Sequence, residues 1–175
     1  MKYFVLTALR LYDELEELSD SLDKTIARAA TSLKGDTQEL CYYIMELNDK
    51  KRILANLKVI CDRIKNEIGE NECTVLKRYA GGTPCEELAA QDGVSRSTAM
   101  RRLNKLTGRC VVLLQSLGVS GEKIEKEYFS LPVVKAVYDF IAARKSPKRS
   151  SIERKRKIRG EGISFCALEA VGGIE

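Results

Sequence analysis

The stretch PCEELAAQDGVSRSTAMRRLNKLTG, residues 84–108, reads as a helix, a tight turn and a second helix. Leu88 and Ala89 are placed to face inward on the first helix. Asp92 and Gly93 make the turn, because glycine tolerates the positive φ with which one helix ends before another starts. Val94 is expected to plug the corner. Ser95 is expected to cap the second helix, its hydroxyl taking an orphan amide. That helix carries Arg96, Arg101, Arg102 and Lys105, with Arg109 just past Gly108, and no acidic residue lies between Val94 and Cys110. Non-binding surface helices usually mix the two signs of charge. A cap, a turn and a basic helix are what entry into the major groove of duplex DNA requires.

Residues 72–106, ECTVLKRYAGGTPCEELAAQDGVSRSTAMRRLNKL, resemble the fourth region of bacterial sigma factors and its relatives among phage-type transcription regulators. The resemblance rests on a short helix with Val75, Leu76 and Tyr79, then on Gly81-Gly82-Thr83-Pro84. Glu87-Leu88-Ala89 and Gly93-Val94-Ser95-Arg96-Ser97-Thr98 follow. It covers about a fifth of the chain and implies a sequence-specific DNA-binding regulator of transcription. By the family's geometry Arg96, Ser97, Met100 and Arg101 face base edges, where arginine bridges guanine O6 and N7 and methionine meets a thymine methyl. Thr98, Arg102, Lys105 and Arg109 are placed for phosphates, and the capping Ser95 belongs to the same expected interface. Thr83 reaches a phosphate from the start of the first helix, where free amides favour anions. One departure is Arg102, which stands where the family usually buries an apolar residue. Leu103 stands beside it, and a small rotation of the helix would accommodate the difference. No counterpart of the sigma region that reads the other promoter element is visible, so a complete sigma factor is not expected.

Upstream, the periodicity predicts one long helix over residues 3–33, with Leu11, Leu15, Leu18, Leu22 and Ile26 as its apolar stripe. Lys34-Gly35-Asp36 should stop it, with Asp36 or Thr37 capping a second helix over 37–68 that ends at Gly69. The two make an antiparallel hairpin of coiled-coil character, although Lys51 and Lys58 interrupt a strict zipper. A lone hairpin has few ways to hide two faces, so homodimerisation through it is expected.

Downstream, the apolar run from Cys110 to Leu117 should continue the second helix into the core. Ser120 should cap a short helix over 122–129, and Pro132 should start another, with Val133, Val134, Ala136, Val137, Phe140 and Ile141 inward, ending near Arg144. Residues 144–160 hold nine Lys or Arg and one Glu, a net +8 within a chain of +5, which leaves −3 for the rest. Localised positive charge suits a polyanion. The expected organisation is therefore all-α: a hairpin over 1–69, the DNA-binding unit over 70–118, further helices over 119–145, and a basic tail with an apolar end over 146–175.

Several function classes fall away. With no histidine and no C-x-x-C pair among six cysteines, neither a metal site nor a cofactor is expected, and the thiols should be reduced in a cytoplasmic protein. No apolar run approaches the roughly 20 residues of a membrane span. There is no nucleophile elbow, P-loop or glycine-bracketed carboxylate pair, so an enzyme is not expected. Double-stranded DNA is the expected partner, and RNA polymerase is a candidate. A phage terminase small subunit, which also joins a helix-turn-helix to a helical oligomerisation part, is the alternative, weakened by the central position of the motif here.

Overall fold

The computed structural model describes residues 1–31 and 36–145. The Gly35 stop, the basic tail from Ser146 onward and the apolar end with Cys166 lie outside these residues. Every described element is helical: α1 (Lys2–Leu11), α2 (Leu15–Ala30), α3 (Thr37–Ile68), α4 (Glu70–Gly81), α5 (Cys85–Gln91), α6 (Arg96–Ser116), α7 (Gly121–Lys126) and α8 (Pro132–Lys145), with 3-10 turns at Tyr12–Glu14 and Tyr128–Ser130. Met1–Ile141 form one compact unit, which the segments 1–69, 70–118 and most of 119–145 share. None of the described helices is long and apolar enough to cross a membrane.

The first element departs from its sequence reading. Instead of one helix over 3–33, the chain makes α1, tightens through a 3-10 turn, and resumes as α2. Phe4, Val5, Leu6, Thr7, Ala8, Leu9 and Leu11 are all buried. A helix that is apolar all round belongs in the centre of a fold, and α1 packs against α3, α4 and α6. The amphipathic α2 behaves differently. Only Leu15 is buried on it, and it lies along α3. A single straight helix could not serve both environments, so the chain turns between them. The turn is held by Tyr12, whose hydroxyl donates to Asp62 at 2.6 Å, and by Lys77, which meets Asp13 at 2.7 Å and lies 4.3 Å over the Tyr12 ring.

Helix α3 keeps its predicted bounds. Asp36 accepts from the Gln38 amide at its start, and Gly69, at φ 87°, ends it and begins α4. The pairing with α2 is antiparallel, since Glu16 meets Lys58 and Asp23 meets Lys51 at 2.6 Å. The lysines that interrupt the apolar stripe are thus the charged rungs between the two helices. Leu18 and Leu22 are half-buried and pack against the core.

The later elements are close to prediction, with three differences. The helix expected over 122–129 stops at Lys126, and a 3-10 turn inserts Tyr128 beside Phe4, ring centroids 4.9 Å apart. In α8, Phe140 and Ala136 are exposed, while Tyr138 turns in to meet Tyr3 and Phe129. Beyond Gly108 only part of the apolar run is core: Cys110 and Leu114 are buried, but Val112 and Leu117 are exposed. Cys61, Cys73 and Cys110 are buried thiols whose pKa values burial pushes up, that of Cys110 to about 11.

Phe4→Ala should lower the unfolding free energy by about 3–5 kcal/mol, read from urea denaturation, because a fully buried ring leaves a cavity at the hub. The hydrogen bond to Asp62, and then burial, raise the Tyr12 pKa from 10.0 to about 12. The folded state therefore holds this proton more tightly than the unfolded one. The stability it contributes is complete below pH 10 and drains away as pH rises toward 12. An absorbance titration should show a late-ionising tyrosine that disappears in Tyr12→Phe.

Candidate nucleic-acid interface

The surface in question is built on α5, the turn after it, and the first half of α6. Leu88 and Ala89 bury the inner face of α5. The turn closes through Val94 N–H to Ala89 O at 3.0 Å, with Gly93 at φ 63°. A side chain at Gly93 would be strained in that conformation. Val94 does not plug the corner: it is 38% exposed, and the seal is made instead by Leu88, Ala89, Ala99 and Leu103. Ser95 caps α6, its Oγ accepting from the Thr98 amide at 3.2 Å. The same hydroxyl lies 2.9 Å from both Ser97 Oγ and Thr98 Oγ1. α6 then runs through Gly108 to Ser116 without a break.

Ala99, Leu103, Leu106, Thr107, Cys110 and Leu114 face the core. At 3.6 residues per turn, the opposite ridge carries Ser97, Arg101, Asn104 and Lys105, all exposed. Arg101 and Lys105 have no ion-pair or hydrogen-bond partner among the described residues. The other sequence-picked residues divide. Arg96 is exposed and pairs with Glu86 at 2.8 Å. Thr83 is half-buried just before α5, with its backbone amide given to Arg78 O at 3.0 Å. Met100 turns inward, half-buried, with its sulfur 4.0 Å from the Tyr79 hydroxyl, so it does not share the outer ridge.

Arg102 and Arg109 face the protein's own acids. Arg102 reaches Glu72 through Nε and Nη2 at 3.1 and 2.8 Å and Asp92 through Nη1 at 2.6 Å. It ties α4 and the turn to α6, and the Glu72 bond raises its pKa further. Arg109 meets both Glu67 Oε1 and the Glu67 carbonyl, at 2.9 and 2.8 Å. A cation near exposed carbonyls at the end of α3 also suits the negative end of that helix. Both guanidiniums are engaged by protein groups that a phosphate would have to displace. The departure at Arg102 thus has a physical account. The core side of α6 is filled by its neighbour Leu103, and the arginine occupies the flank as a cross-brace.

Two residues on this face were missed by sequence reading. Lys2 Nζ donates to Asn104 Oδ1 at 2.6 Å, placing the start of α1 beside the outer ridge. Asn104 was detectable, since it follows Ser97 by seven and Arg101 by three on one helix face. Lys2 was not, because only the folded chain brings it across 102 positions. Comparison of the chain with models of known families, with curated proteins and with solved structures finds no match.

Arg102→Ala should cost about 1 kcal/mol of stability, at the upper end for a partly exposed pair, because it leaves two carboxylates without their partner. In thermal melts of both variants, Arg101→Ala should stay within about 0.5 kcal/mol of the parent.

Proposed function

We propose that this protein is a sequence-specific, double-stranded-DNA-binding regulator of transcription of the bacterial or phage type, a binding protein without catalysis that works in the cytoplasm. Its helix-turn-helix consists of α5, the turn at 92–94 and α6, arranged as in the sigma-region-four resemblance. The N-terminal half of α6 enters the major groove, and RNA polymerase is a candidate partner. The α2–α3 hairpin pairs two copies, which doubles the contact with a two-fold site.

The observation that carries this reading is the outer ridge of α6. Two cations, Arg101 and Lys105, stand exposed beside Ser97 and Asn104, while the acids around α6 are engaged with Arg96, Arg102 and Arg109. Base edges are read by such a mixture: arginine forks for guanine, asparagine for adenine, and a small hydroxyl for either. Lys2 extends the positive face to the start of α1. Arg102 and Arg109 hold the interface in shape, and Met100 sets the depth of the helix rather than touching a base.

Arg101→Ala should lose about 1–3 kcal/mol on the cognate site, found by selection from random duplexes, and should relax preference at one or two base pairs. Lys105→Ala should weaken every sequence alike and flatten the slope of log K against log salt by about 0.9. Equal, sequence-independent losses for both would show that the reading face lies elsewhere.

A further inference from the structure

The hairpin leaves one face of α3 uncovered. Tyr42, Met45 and Val59 are 63%, 63% and 56% exposed, three of the largest apolar exposures on the described surface. They lie on a single ridge: Tyr42, Met45, Asp49, Arg52, Asn56, Val59 and Arg63 recur at alternating steps of three and four, and every one of them is exposed. That is the a/d spacing of a helix seam. It lies away from α2, which is met by Lys51, Leu54 and Lys58. The ridge spans about 32 Å at 1.5 Å per residue.

The order of residues along this ridge is self-complementary. Place a two-fold axis midway between Asp49 and Arg52 and run a second copy antiparallel. Asp49 then faces Arg52 of the second copy, and Arg52 faces its Asp49. Met45 faces Asn56, and Tyr42 faces Val59, each with its reciprocal. Every such layer joins an a position to a d position, as an antiparallel seam requires. An isologous interface must present one patch that complements itself, and here the charges reverse sign across the axis while the apolar groups fall at both ends. Within one chain Asp49 and Arg52 already meet at 3.1 Å, so the two copies would close a ring of four alternating charges at the centre.

We infer that the outward ridge of α3 from Tyr42 to Arg63 is a homodimer seam, with a second copy of this chain packed antiparallel across a two-fold axis between Asp49 and Arg52. This deepens the pairing proposed above and places it on α3 and not on the apolar stripe of α2, since Leu15 is buried and Leu18 and Leu22 pack within the subunit. It does not depend on DNA binding. With three apolar residues per copy, the seam belongs to the small class of interfaces, so the dimer dissociates readily.

The test is charge exchange read by sedimentation equilibrium of the full chain without DNA. The parent should pass from monomer to dimer between about 1 and 500 µM. Asp49→Arg alone sets Arg against Arg, and Arg52→Asp alone sets Asp against Asp. Each should weaken association at least about tenfold. Both changes together in one chain should restore it, because the reversed pattern is again self-complementary. Mixing the two single variants should yield heterodimers. Both sites are well exposed, so circular dichroism melts should stay near the parent. A parent that is monomeric throughout, a dimer indifferent to the single exchanges, or a failure of the double change and the mixture to recover it would each overturn the seam. Because no DNA is present, such a failure is separable from a failure of the DNA-binding reading, which groove-face substitutions test in the monomer.

Discussion

The burial of α1 is the constraint on which the remaining structure depends. Its side chains from Phe4 to Leu9 are screened from water on every side. An apolar helix of this kind has no preferred face, so it has to be wrapped, and α3, α4 and α6 wrap it. The wrap brings segments far apart in sequence into one unit. It gathers the long helix of the hairpin, the first helix before the turn, and the helix with the exposed basic ridge around the same ten residues. Buried polar groups do not spoil the arrangement. Thr7 donates to Tyr3 O, the Cys61 thiol donates to Ala8 O, and Thr107 donates to Leu103 O.

The same constraint explains what could and could not be read from residues alone. Helix positions from 37 onward were legible because their signals are local: Asp36 and Ser95 cap, Gly69 and Gly93 stop or turn, Pro132 starts. The start of the chain was not. Tyr3 to Leu11 and Leu15 to Ile26 share a continuous apolar rhythm, and rhythm cannot distinguish a helix buried all round from one buried on a stripe. The 3-10 turn between them owes its stability to Asp62 and Lys77, which sit some 50 and 64 positions away from the residues they hold. Val112 and Phe140 fail for a related reason. Apolar type says that a residue favours burial, and only the number of surrounding elements decides whether it achieves it.

At the basic helix, residue type was legible and residue role was not. Arg101 and Arg102 are neighbours of the same kind, yet a single step of helix rotation sends one outward and the other across Glu72 and Asp92. An arginine with two carboxylates in reach is a fastener, and its planar fork makes it good at that task. Between Val94 and Cys110 the helix has no acid of its own. The acids were supplied instead by α3, α4, α5 and the turn, which neutralise Arg96, Arg102 and Arg109 in place. The net effect is to concentrate unneutralised charge on the outer ridge instead of spreading it around the helix.

That partition also bears on how the two ends of the molecule relate. The long helix α3 carries the uncovered ridge along its outer side and contributes Glu67, near its end, to the clamp on Arg109. The exposed ridge of α3 and the outer face of α6 are therefore linked through one continuous helix and one ion pair, with α1 packed against both helices. A rigid path of this kind fixes the spacing between two α6 ridges once two copies of α3 are joined. On a two-fold site, spacing matters as much as side-chain chemistry, because both ridges must meet the groove on the same face of the duplex. Under the proposed pairing, the long helix α3 would serve as the spacer between the two α6 ridges.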